Sequence, residues 1–107
     1  MQPQGHVQIL LNLFEFGMGL QEAGDAPRVR HAGSSTPTGK AADPSGGEVL
    51  LEAGITSDVV RELLKRGHAV TSTYGSFGGY QAIWYDGAND VYYGATESRK
   101  DGIALVY

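Results

Sequence analysis

The apolar positions are densest in the opening stretch, MQPQGHVQILLNLFEFGMGLQEAGDAPRVRH, where Val7, Ile9, Leu10, Leu11, Leu13, Phe14 and Phe16 crowd together. Wound as a helix over residues 4–16, they put Val7, Leu10, Leu11 and Phe14 on one face and the others beside or behind it. Such a stripe is broader than a surface helix carries and predicts burial on most sides. Length and leucine content favour helix over strand. Gly17 and Gly19 are expected to end it, and residues 20–26 predict a second short helix. Pro27 bounds that helix, because the residue before a proline is pushed out of the helical region.

Residues 28–31 read as extended and lead into 33–47, a Gly, Ser, Thr and Pro stretch long for a structureless connection. EVLLE at 48–52 predicts a strand. Thr56 then stands at N-cap position before a helix over 57–66, with Ile55 and Val60 at hydrophobic-staple spacing. Asp58 suits its first turn, Lys65 and Arg66 its last, and Gly67 its stop. Residues 68–73 are β-branched and predict a strand before the turn-rich 75–79. YQAIWYD at 80–86 and VYYGAT at 91–96 flank a Gly-Ala-Asn-Asp turn, a hairpin signal. Residues 102–107 suggest a further strand. Helices followed by paired strands predict an α+β layered architecture.

With 107 residues the chain is expected to form one domain. Gly, at 16 residues, is about twice ordinary usage, which implies many turns. The net charge of -4, with basic residues scattered apart from the pairs Lys65-Arg66 and Arg99-Lys100, argues against a nucleic-acid partner. Absence of cysteine excludes disulfides, thiolate metal sites and a thiol nucleophile, and leaves the compartment open. The longest apolar run is interrupted by Gln8, Asn12 and Glu15 and falls far short of the ~18–20 residues of a membrane span. No signal-peptide pattern precedes it, so a soluble chain is expected.

No chemical constellation assembles from spacing alone. His6, His31 and His68 lie far apart, without further ligands at metal-motif spacing. Ser34, Ser35 and Thr36 lack any nucleophile-elbow setting and are expected to make turn hydrogen bonds. GSFGG at 75–79 lacks the lysine and the strand-to-helix context of a phosphate loop. Tyr80, Trp84, Tyr85, Tyr92 and Tyr93 are expected to serve as core and cross-strand packing. The acidic pairs Asp86/Asp90 and Glu97/Asp101 read as solvated turn residues.

The wording itself is more specific. QPQGHVQILLNLFEFGMGLQEAGDAPRVRH resembles the segment that follows the glycine pair of gamma-glutamyltransferases (gamma-glutamyltranspeptidases). GSSTPTG at 33–39, EVLLEAGI at 48–55, KRGH at 65–68 and GGYQAI at 78–83 continue the resemblance in order. YGATESRKDGIALVY at 93–107 resembles the family's C-terminus, with Glu97-Ser98 where relatives commonly have Asp-Pro, and Leu105-Val106 in place of a small residue and glycine.

The resemblance implies part of an N-terminal nucleophile hydrolase fold, an αββα sandwich of antiparallel sheets between helical layers, with residues 1–107 as its C-terminal segment. Relatives cut themselves to expose an N-terminal threonine, which attacks the gamma-glutamyl carbonyl while its own amine serves as base. By the resemblance that threonine and the oxyanion glycines fall before the segment matching Met1, itself an internal methionine of relatives. Thr36, Thr38, Thr56, Thr71, Thr73 and Thr96 are internal and offer no such amine. No catalytic, cofactor-binding or metal-ligating residue is therefore assigned, and no cofactor is expected. The expected partner is the remainder of such an enzyme. The alternative is a second copy of the chain, forming a non-catalytic homodimer. An independent enzyme built on His31 or the aromatic hairpin ranks last.

Overall fold

The computed structural model describes residues 1–36 and 38–105. Among them the elements run α1 (Gln2–Phe14), α2 (Leu20–Asp25), β1 (Val29–Ala32), β2 (Glu48–Leu51), α3 (Ser57–Lys65), β3 (Val70–Ser72), β4 (Gln81–Asp86) and β5 (Val91–Thr96). This is the expected α+β content. The chain divides into two compact units, one over Pro27–Phe77 and the other joining Gln2–Ala26 to the chain from Gly78 onward.

In the first unit β2 is central, antiparallel to β1 and parallel to β3, with α3 as the crossover between the parallel strands. Sequence pattern located these strands but said nothing of their pairing. The ladder extends past the strand ends, where Glu52 N–H donates to Arg28 O and the Glu52 carboxylate accepts from Arg28 N–H. Helix α3 ends as expected: Gly67 has φ 85°, its N–H reaches Leu64 O, and His68 N–H reaches Leu63 O. Both bonds of a Schellman motif are thereby made. Its start needs a correction. Thr56 occupies the cap position with extended ψ of 150°, but its hydroxyl makes no cap hydrogen bond.

In the second unit β4 and β5 form the expected hairpin, paired from Gln81↔Thr96 to Asp86↔Val91. Helix α1 begins and ends two residues before the anticipated bounds. Its last turn widens, with Phe16 N–H on Leu11 O and Met18 N–H on Asn12 O, and the chain reverses at Gly17, φ 66°. Helix α2 has half a capping box, the Glu22 carboxylate accepting from Gly19 N–H at 3.2 Å. No strand forms over residues 102–105, and the remainder of that expected strand lies outside the described residues.

The short α2 sits at the middle of this unit. Gln21 Nε2 donates to Thr96 O and Gln21 Oε1 accepts from Thr96 N–H, so one side-chain amide completes the backbone pairing at the β5 edge. Tyr80 donates its hydroxyl to Leu20 O at 3.0 Å while its ring covers Gly24. A Cβ at Gly24 would fall among the ring atoms of Tyr80. Gly24→Ala is therefore expected to destabilise by about 1–3 kcal/mol through overpacking, although helix propensity alone gives the opposite sign. A denaturation midpoint equal to or above that of the unaltered chain would contradict this packing.

Candidate functional site

The second unit carries the largest anomaly of the structure, an apolar surface with nothing on it. No residue of α1 is buried. Val7, Leu10, Leu11, Phe14 and Phe16 are all exposed, Phe14 by 66%. A helix apolar nearly all round was expected to be covered; here its stripe meets α2 and the hairpin, which leave most of it open. Phe14 and Trp84 approach with ring centroids 6.0 Å apart. Between them lies a cavity of about 390 Å³, lined by Leu13, Phe14, Met18, Leu20, Trp84 and Tyr93.

The hairpin is apolar on both faces. Pleating sends alternate side chains to opposite sides, so Trp84 and Tyr93, partners in the register, face α1. Their neighbours Tyr85 and Tyr92, also paired, face away with ring centroids 4.7 Å apart. Ile83 shares that outer face and is 69% exposed. The expected cross-strand packing is therefore present, but the expected core role is corrected. Trp84, Tyr85, Tyr92 and Tyr93 remain exposed, and only Tyr80 of the aromatic set is buried. A two-stranded ribbon has no second layer of its own to bury both faces.

The hairpin turn is polar and self-contained. Asp86 accepts from Ala88 N–H, Asn89 N–H and the Asn89 amide at 2.7 Å. The Asn89 side-chain bond is the main cause holding the Asp86 carboxyl below its ordinary range, against a smaller opposing effect of burial. Asp90, at φ 54°, accepts from the Tyr85 hydroxyl.

Glu97 overturns its sequence reading. It is a buried carboxylate, not a solvated turn residue: its side chain is 0% exposed and pairs with Arg99 at 2.6 Å. Arg99 also donates to Gly24 O and Ala26 O at 2.8 and 3.0 Å, where α2 ends. The pair spans a turn just past β5, and no local pattern in the sequence marks it as buried.

Of the other residues considered from sequence, His31 and Ser34 meet and the rest stand apart. His6 and His68 are exposed. His31 contacts Ser34 and the Gly46 carbonyl. Thr36 accepts from Lys40 N–H, in keeping with a turn role. Residues 75–79 bend, with Gly75, Ser76 and Gly78 at positive φ. Among the described residues no group of three or more His, Cys, Asp or Glu is placed to hold a metal ion, and no helix is long and apolar enough to cross a membrane.

The sequence profile of the Gamma-glutamyltranspeptidase family matches residues 1–107. The chain belongs to that family. Among solved structures it is similar to the cephalosporin acylase of Bacillus halodurans, at 32% identity and TM-score 0.81, over 98% of this chain and 18% of that one. It is also similar to the gamma-glutamyltranspeptidase of Pseudomonas nitroreducens complexed with L-DON, at 24% identity and TM-score 0.73, over 96% and 48% of the two chains. The Bacillus anthracis transpeptidase enzyme CapD matches in fold at 23% identity and TM-score 0.75, over 98% and 57%. No curated protein matches the chain. Gamma-glutamyltranspeptidases have the N-terminal nucleophile hydrolase type of fold, and the α+β elements described above are a part of it. The chain spans 18% to 57% of the length of these three solved chains.

Proposed function

We propose that residues 1–107 are one domain, the C-terminal structural segment of a gamma-glutamyltranspeptidase-like enzyme, and that they perform no gamma-glutamyl transfer or hydrolysis by themselves. The observation that carries this reading is the hairpin with apolar side chains on both faces beside a helix without one buried residue. Antiparallel sheets that face water on one side alternate apolar with polar residues; sheets covered on both sides do not. The β4-β5 ribbon has the second pattern, which suits an inner layer whose cover belongs to the remainder of the enzyme.

Chemistry supports the same division. Gamma-glutamyl transfer by this family needs a threonine whose own α-amino group acts as base, and the threonines of this segment are internal. The segment's part is to support: α2 is held by Gln21, Tyr80 and Arg99, and α1 presents the surface against which the remainder packs. The purified 107-residue chain, given a chromogenic gamma-glutamyl anilide, is expected to release no anilide above the buffer rate. Release that scales with protein concentration would overturn the proposal.

A second reading places another copy of the chain on the same surface. Exposed apolar faces of this breadth on a monomer mark interaction sites, and a dimer would cover α1 without the rest of an enzyme. Sedimentation decides between the two: a folded monomer excludes the homodimer, and a stable dimer that remains inactive favours it.

A further inference from the structure

His31 projects from β1 toward the loop that follows the strand, and the loop engages both ring nitrogens. Nε2 lies 2.8 Å from the Gly46 carbonyl oxygen, and Nδ1 lies 2.7 Å from the Ser34 hydroxyl. A carbonyl oxygen only accepts, so Nε2 carries the proton. Neutral His31 then presents an unprotonated Nδ1, and Ser34 donates its O–H to it.

The loop is shaped to hold the ring this way. Gly47 has φ 77°, and a Cβ there would press on the Ala32 carbonyl and lie 3.0 Å from His31 Nε2. Gly33 has φ 101°, and a Cβ there would lie 2.6 Å from the Gly47 Cα. Only glycine at these two positions lets the loop return against the imidazole and bring the Gly46 carbonyl to it. Nucleophile, base and a third group orienting the base thus stand in sequence: Ser34, His31, Gly46. Hydrogen-bonded order of this kind distinguishes an activated hydroxyl from an ordinary turn serine.

We infer that Ser34 is a nucleophilic hydroxyl, activated by His31, that accepts acyl groups from small activated esters. Ser34 Oγ attacks the acyl carbon as its proton passes to His31 Nδ1. The bond from that carbon to the aryloxide breaks, and the proton leaves with the aryloxide as phenol. Water, deprotonated by the same Nδ1, then releases the carboxylic acid and restores Ser34. Ser34 is exposed, so donors are selected by reactivity rather than by fit, and general-base assistance of about 10²–10⁴ is the whole of the acceleration. These residues take no part in the support role proposed above, and either idea can fail alone.

An alkyl fluorophosphonate tests the inference on the full chain. The P–F bond breaks, the Oγ–P bond forms, fluoride departs and the hydroxyl proton goes to His31. Peptide mapping is expected to show Ser34 labelled about 100-fold faster than its neighbour Ser35, an internal control for exposure. His31→Gln keeps an N–H for Gly46 and an acceptor for Ser34 while removing the basic nitrogen, so labelling of Ser34 is expected to fall to the Ser35 rate. Equal labelling of the two serines, or undiminished labelling in His31→Gln, overturns the inference. Should that variant fail to fold, the Ser34 to Ser35 ratio in the unaltered chain decides it.

Discussion

Arg99→Ala is expected to destabilise the second unit by about 3–5 kcal/mol, the range found when one partner of a buried ion pair is removed. The Glu97 side chain is 0% exposed and the Arg99 side chain 17%, with 2.6 Å between them. Truncating Arg99 leaves a carboxylate out of water without its counter-charge. It also removes the donors that satisfy Gly24 O and Ala26 O, carbonyls at the end of α2 that have no further helical turn to accept from. Glu97→Gln, which keeps shape and an acceptor, should cost less than Arg99→Ala. Trp84 is the one tryptophan of the chain and lies in this unit, so its fluorescence in a urea titration reads the effect directly. A loss below about 1 kcal/mol, the level of an ordinary surface change, would mean that the clasp contributes nothing special.

Leu51→Ala is expected to cost about 2–5 kcal/mol in the first unit. Leu51 is 1% exposed and closes the central strand, paired with Val29 on one side and Ser72 on the other. Removing its side chain leaves a void over one face of the sheet, whose backbone ladders hold Leu51 in place and limit how far the site can collapse. Amide exchange at Thr73, whose N–H donates to Leu51 O, should accelerate by the factor that corresponds to the lost stability. Unchanged exchange there, together with an unchanged unfolding transition by circular dichroism, would show that Leu51 is not central to this unit's core.

Local order was the legible part of the sequence. Helix α3 was framed by Asp58 near its start and by Gly67 at its end, because a left-handed C-terminal residue is a demand that glycine meets at no steric cost. The hairpin was visible because two aromatic runs flanked a Gly, Asn and Asp turn, and turn chemistry acts over a few residues. Long-range placement was not legible. Glu97 looks like any acidic residue after a strand; its burial depends on α2, which lies far back in the chain and ends where Arg99 can reach three successive carbonyls. The Ser34 contact with His31 was hidden for a similar reason, since the loop's return at Gly46 sets the ring's orientation.

The sequence by itself determined the family, the α+β class, the helix and strand segments apart from the strand expected over 102–107, and the apolar breadth of α1. These depend on residue order and short-range sterics, which the chain carries in every environment. Tertiary structure alone decided that β2 pairs parallel with β3, that Glu97 and Arg99 are buried together, and that the hairpin has apolar side chains on both faces with neither fully covered. Each of these depends on which surfaces meet, and surfaces meet through contacts between residues distant in sequence. The wide stripe of α1 required a cover on local grounds; only the folded chain showed that α2 and the hairpin leave most of it open.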